Sequence, residues 1–215
     1  MTRILMATAG VFVAGVLGWA GYEALAPSAV EDPLTGSRSI DAIGAGIGGE
    51  FALSGHDGEI HRSEALIDGP TLIYFGYTFC PDVCPFDTQD MADATDMLAE
   101  KGVDVTPVFI TVDPERDTEE QLGYFVDAMH PEMIGLRPTD EALETLATDW
   151  KVFYQRVEIP ESEGGADDVY LMNHTSFTYL ALPQEGVIRL FRHDQTAEEM
   201  ADEIRRLLEV RGLMG

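Results

Sequence analysis

Thr71-Leu72-Ile73-Tyr74-Phe75-Gly76-Tyr77-Thr78-Phe79-Cys80-Pro81-Asp82-Val83-Cys84-Pro85 is the stretch on which the reading of the chain turns. Its first five residues form an unbroken apolar run of strand length, the pattern of a strand buried on both faces. Residues 86–100 then carry Met91, Ala94 (or Thr95) and Leu98 at three- to four-residue spacing, which predicts a helix. Each cysteine precedes a proline, which disfavours helical backbone at Cys80 and Cys84. Pro85 suits a first helical position. Both thiols are therefore predicted in a loop at the carboxyl end of a strand, beside a helix N-terminus whose positive dipole end favours thiolate.

Working outward, residues 51–53 and 59–61 flank Gly55-His56-Asp57-Gly58 and read as a hairpin. Residues 103–112 form the next strand, where Pro107 predicts an edge position or an irregularity. Asp117 reads as the N-cap of a helix, with Glu120 completing a capping box. A short strand over 134–136 and a helix over 140–150 come next. Strands over 152–157 and 176–182 are separated by an acidic, glycine-bearing loop at 161–168. Residues 187–191 pair back across the turn at 183–186. Thr196 opens the last helix with Glu199 as its box partner, and Ile204, Leu207 and Leu208 mark its apolar side. Strand, helix, strand, helix, a late hairpin and a final helix make an α/β domain with a mixed central sheet and an N-terminal hairpin. That order is the order of a thioredoxin-like fold.

The 215 residues hold 39 acidic and 13 basic side chains, a formal charge of −26. Such a chain makes a poor nucleic-acid partner, because phosphate binding rests on Lys and Arg. Basic-patch adhesion to anionic lipid is excluded on the same ground. Residues 4–22 carry no charge, lie between Arg3 and Glu23, and are long enough for one transmembrane helix. The lone basic residue on the amino side places the chain beyond Glu23 outside the cytoplasm. That predicts an inner (cytoplasmic) membrane protein whose domain faces the periplasm or an equivalent compartment. Ala24-Leu25-Ala26 offers a signal-peptidase reading, but the apolar run exceeds the roughly 7–15 residues of a signal core, so an uncleaved anchor is favoured. Both readings export the domain. Residues 27–50, rich in Gly and Pro, read as a flexible linker. The expected organisation is anchor 1–26, linker 27–50 and domain 51–215.

Two cysteines are too few for a disulfide scaffold, so their chemistry is local. A structural disulfide across three residues closes a tiny loop and adds little. Inert burial suits proline-flanked thiols poorly. Redox and metal chemistry remain, although thioredoxin-type dithiols use two intervening residues, not three. A peroxidase of peroxiredoxin type is weak, since Ile73 and Tyr77 occupy the offsets where its Pro and Thr would stand. Among the histidines, His56, His61, His130 and His193 sit in polar turns and read as solvated or hydrogen-bonded. His174 differs. Met172-Asn173-His174-Thr175-Ser176 enters a strand whose start, in a thioredoxin-like sheet, lies near the cysteine loop. Thioredoxins place a cis-proline there, and no proline occurs from 161 to 182, which weakens a general dithiol-oxidoreductase reading. Two thiolates and an imidazole form a soft set for Cu(I) or zinc. Structural zinc wants a fourth ligand. A three-coordinate site suits Cu(I), and one weak extra ligand would accommodate Cu(II); Met172 is the one methionine near enough to consider.

Four motifs in order resemble the Sco/SenC family, the copper-binding assembly factors of cytochrome c oxidase: Cys80-Pro81-Asp82-Val83-Cys84-Pro85, Val112-Asp113-Pro114-Glu115-Arg116-Asp117-Thr118, Lys151-Val152-Phe153-Tyr154, and His174-Thr175 followed by Tyr179-Leu180. The resemblance spans about residues 50–210. It implies copper as cofactor, with Cys80, Cys84 and His174 as ligands. It also implies a membrane-anchored copper chaperone that delivers the metal to the dinuclear copper site of the oxidase. The alternative is a thiol–disulfide reductase that keeps the acceptor cysteines of the oxidase subunit reduced, Cys80 and Cys84 being the redox pair. The implied partners are that copper-site subunit and another copper chaperone or thiol reductant. One departure is Asn173, where the family often has aspartate before the histidine. The 112–118 motif also admits a purely structural reading, with Asp117 as cap, Arg116 as its pairing partner and Asp113 the candidate exception.

Overall fold

The computed structural model describes residues 39–159 and 170–214. The anchor expected over 1–26, the linker as far as residue 38 and the whole 161–168 loop lie outside the described residues. Among the described residues no helix is long and apolar enough to cross a membrane.

The predicted apolar run is β4 (Thr71–Gly76), and all six of its residues are buried. Around it lie β1 (Ile40–Asp41), β2 (Ala52–Gly55), β3 (Ile60–Arg62), β5 (Thr106–Thr111), β6 (Ile134–Arg137), β9 (Phe177–Leu182) and β10 (Gly186–Arg192). They form one eight-stranded sheet in the order β1-β10-β9-β4-β5-β6-β2-β3. The pairs β4–β5 and β5–β6 are parallel and the others antiparallel. The mixed sheet and thioredoxin-like order are as expected.

The helices are α1 (Ser63–Leu66), α2 (Val83–Ala99), α3 (Glu119–Met129), α4 (Asp140–Trp150) and α5 (Ala197–Val210). Side chains alternate across a strand, so Tyr74 and Phe75 face opposite sides. Tyr74 stacks on Phe109, which meets Phe125 of α3. Phe75 instead packs on Tyr179 and on Trp150 of α4. Helices thus cover both faces, as a sheet with a parallel centre requires. Each such aromatic or aliphatic side chain withdrawn from water contributes about 1.5–3 kcal/mol, so the core is built on this sheet.

Several local expectations are corrected. Pro107 sits in β5 between β4 and β6, not at an edge. The Thr106 amide donates to the Pro70 carbonyl on the β4 side, so position 107 faces β6, whose pairing starts only at Val108. No ladder bond is lost. Asp117 is not a cap: Thr118 accepts from the Gln121 amide and caps α3. Helix α2 begins at Val83, so Cys84 and Pro85 lie in its first turn. Amides there have no intrahelical partner, so a proline is tolerated. A strand that the sequence pattern does not mark, β8 (Tyr170–His174), pairs with β7 (Tyr154–Glu158) as a separate two-stranded sheet. Residues 39–50, assigned to the linker, are seated on the domain: β1 pairs with β10, and the Gly48 amide donates to the Asp149 carbonyl. The capping box at Thr196 and Glu199 is present.

Candidate metal centre

Topology brings the three expected residues together. Cys80 lies in the loop leaving the carboxyl end of β4, and Cys84 in the first turn of α2. Strand β9 runs antiparallel to β4 with Thr178 opposite Tyr74, so its entry stands beside the end of β4. His174, the last residue of β8, is delivered there.

Ligand atoms of Cys80, Cys84 and His174 all lie within 4.8 Å of one another. The Cys84 Sγ is 3.1 Å from His174 Nε2. Both cysteines are free; Cys84 is fully buried and Cys80 half-buried. Among the described residues no other cluster of three His, Cys, Asp or Glu side chains is arranged to hold a metal. His56, His61 and His130 have ordinary partners: the Gly135 amide, Asp57 and Asp96 respectively. Met172 stands two residues before His174, on the same side of β8.

Three features prepare the set for a metal. His174 Nδ1 lies 3.0 Å from the Thr175 carbonyl oxygen, which can only accept, so Nδ1 carries the proton and Nε2 is the free donor. The imidazole is walled by Tyr74 and Tyr77, whose rings meet it edge-on at 6.2 and 5.7 Å. The thiols are differentiated. A hydrogen bond from Cys84 pulls Cys80 down to about 3 against its desolvation. The same interaction with Cys80, together with burial, pushes Cys84 up. Cys80 is thus a thiolate and Cys84 its protonated partner. Thiolates and a neutral imidazole are soft donors, which match Cu(I) better than a hard cation.

Around the centre lie groups whose contacts sequence spacing did not give, Asp87 among them not singled out at all. The Tyr74 hydroxyl donates to Asp87 at 2.9 Å, and burial raises Asp87 to about 6. The buried Asp117 carboxylate accepts from the Thr78 hydroxyl at 2.6 Å and from the Thr78 amide. Arg116 pairs with Asp113 rather than with Asp117. Tyr74 and Thr78 lie inside the cysteine motif, but only their tertiary partners give them a role.

A family model described as SCO1/SenC matches residues 41–209. The chain belongs to the SCO1/SenC family. Protein SenC of Rhodobacter capsulatus is 38% identical over 203 residues, covering 94% of this chain and 88% of its own length. The structure of Arabidopsis thaliana ScoI with copper bound superposes with a TM-score of 0.67 at 36% identity, over 74% of this chain and 99% of that one. The copper-bound ScoI of Bradyrhizobium japonicum gives 0.66 at 31%, over 74% and 98%. BsSco, a member of the Sco family of cytochrome c oxidase assembly proteins in which a disulfide switch was identified, gives 0.57 at 26%, over 74% and 91%. This SCO1/SenC chain has the fold of its copper-bound relatives and a Cys-Cys-His group able to hold a metal.

Proposed function

We propose that the protein is a copper chaperone that binds copper through Cys80, Cys84 and His174 and delivers it to the dinuclear copper site of cytochrome c oxidase during assembly. The observation that carries this reading is the convergence of two thiols and an Nε2-donor imidazole within 4.8 Å. Three ligands leave room for an acceptor thiol to displace them one at a time. Metal uptake needs both thiols reduced and deprotonated, so a Cys80–Cys84 disulfide abolishes it. The proposal includes anchoring through residues 4–22, with the domain on the periplasmic or equivalent side.

The test is titration of the purified full chain with Cu(I) against bicinchoninate. Wild type takes up one equivalent, Cys84→Ser binds too weakly to compete, and His174→Ala binds measurably more weakly. Tight stoichiometric binding by Cys84→Ser rejects the reading.

The ionisation split between the thiols supports a second reading, a thiol–disulfide reductase acting on the acceptor's cysteines. Cys80 thiolate would attack the acceptor disulfide, expelling one acceptor thiolate. Cys84, once deprotonated, would then release the other, leaving a Cys80–Cys84 disulfide and a reduced acceptor. His174→Ala separates the two, since it impairs copper retention far more than disulfide exchange.

A further inference from the structure

Strands β7 and β8 pair only with each other. One metal ligand therefore rides on a hairpin that the main sheet does not hold, while the two thiols belong to the end of β4 and the start of α2. The β4–β9 pairing brings the two parts close, and the turn after β5 makes contacts to both. We propose that Asp113, Arg116 and Asp117 are positioning residues for the metal centre: one end of this turn fixes the cysteine loop and the other fixes the histidine strand. The inference rests on the copper reading of the centre and assigns the second sequence motif its role there.

At the cysteine end, Asp117 is fully buried. It accepts from the Thr78 amide and hydroxyl, two residues before Cys80, and from the Thr111 hydroxyl of β5. At the histidine end, Asp113 accepts from the Tyr170 hydroxyl at 2.8 Å and from Arg116 Nε at 2.5 Å. An Arg116 Nη donates to the Tyr170 carbonyl at 2.8 Å. The Arg116 guanidinium lies 3.5 Å from the centre of the Tyr170 ring, and that of Arg156 lies 3.7 Å from it. Two groups that close must take opposite faces, so the ring is held between them. Tyr170 starts the strand that His174 ends. Arg116 also reaches the rings of Tyr77 and Phe79 in the cysteine loop, at 5.6 and 5.3 Å. One guanidinium therefore touches both halves of the site.

A helix-capping role does not account for this arrangement, because Thr118 caps α3 by itself. Burying the Asp117 carboxylate away from water costs stability, and its partner Thr78 belongs to the cysteine loop. The turn trades stability for placement of the ligands.

The experiment uses the full chain, loaded with Cu(II) for optical and electron paramagnetic resonance spectra and titrated with Cu(I) against bicinchoninate. Arg116→Met and Tyr170→Leu are expected to lose the nitrogen hyperfine coupling of His174 while keeping thiolate-to-copper charge transfer. Their Cu(I) affinity should fall roughly 10–100-fold, the range for groups that orient metal ligands. Tyr170→Phe keeps the ring between the guanidiniums and restores the coupling. Asp117→Asn should instead shift the thiolate band and leave the nitrogen coupling in place. Arg116→Lys, which keeps the charge but loses the fork to Tyr170, replaces Arg116→Met if that chain does not fold. Wild-type spectra and affinity in Arg116→Lys, Tyr170→Leu and Asp117→Asn overturn the proposal while leaving the copper reading intact. A wild-type chain that takes up no copper overturns both.

Discussion

His174 Nε2 and Cys84 Sγ lie 3.1 Å apart, although ninety residues separate them in the chain. The contact is available because the other ring nitrogen is occupied by the Thr175 carbonyl oxygen. The Nδ1–H tautomer is therefore expected before any metal arrives. Long-range nitrogen–proton correlation spectra of the apo chain should show a pyridine-like Nε2 for His174 at neutral pH. A protonated Nε2 there would contradict this geometry.

The thiols should differ in reactivity. Cys80 is held down to about 3 chiefly by its hydrogen bond from Cys84, whereas Cys84 is fully buried and pushed up. Iodoacetamide at pH 6 is expected to modify Cys80 at least about tenfold faster than Cys84, since the thiolate is the nucleophile. Peptide mass spectrometry reads the ratio. Equal rates at the two cysteines would remove the basis for the ionisation split.

Asp87 gives a pH dependence of unusual sign. Burial beneath Tyr74 raises it to about 6, above the carboxylate value of an unfolded chain. Between roughly pH 4 and pH 6 the folded protein keeps a proton that the unfolded chain has lost, so this group lowers stability as pH rises through that window. Asp87→Asn still accepts from the Tyr74 hydroxyl and removes the penalty. Urea unfolding at pH 7 should show it more stable by about 1–2 kcal/mol, with little difference at pH 4. A less stable variant at pH 7 would mean that the carboxylate is satisfied as an anion.

Gly76 ends β4 where a side chain would strike the core. A Cβ there would lie 2.8 Å from the Tyr74 ring and 3.0 Å from that of Phe109. Gly76→Ala is expected to cost about 1–3 kcal/mol by overpacking. Because Tyr74 also walls His174, the variant should weaken copper binding as well as lower the melting temperature. A destabilised chain with unchanged copper affinity would show that the Tyr74 wall is dispensable.

The strands and helices legible in the sequence are those with strong local signals. Strand β4 has its apolar run, α4 its bounds at Asp140 and Trp150, and α5 its Thr196–Glu199 box. The Cys-Cys-His group was legible because soft donors are rare and stand beside breaks in pattern. Strand β8 was not legible: its inward residues are Tyr170, Met172 and His174, while Leu171 and Asn173 face out, so no apolar alternation marks it. Asp117 looked like a cap because Asp and Thr are both good capping residues and stand side by side. Only Thr78, thirty-nine positions away, decides between them. Spacing cannot report a partner at that distance.

The separate β7–β8 sheet is expected to open before the eight-stranded body does. Its strands are bonded to each other and lie outside the eight-stranded body, so their amides are expected to exchange with solvent through a local event well below the free energy of global unfolding. Such an opening would carry His174 with β8 and leave both cysteines beside β4 and α2. If Cys80, Cys84 and His174 hold copper as proposed, opening this hairpin would take the metal from three ligands to two without melting the core, and the breathing of one hairpin would set its residence time.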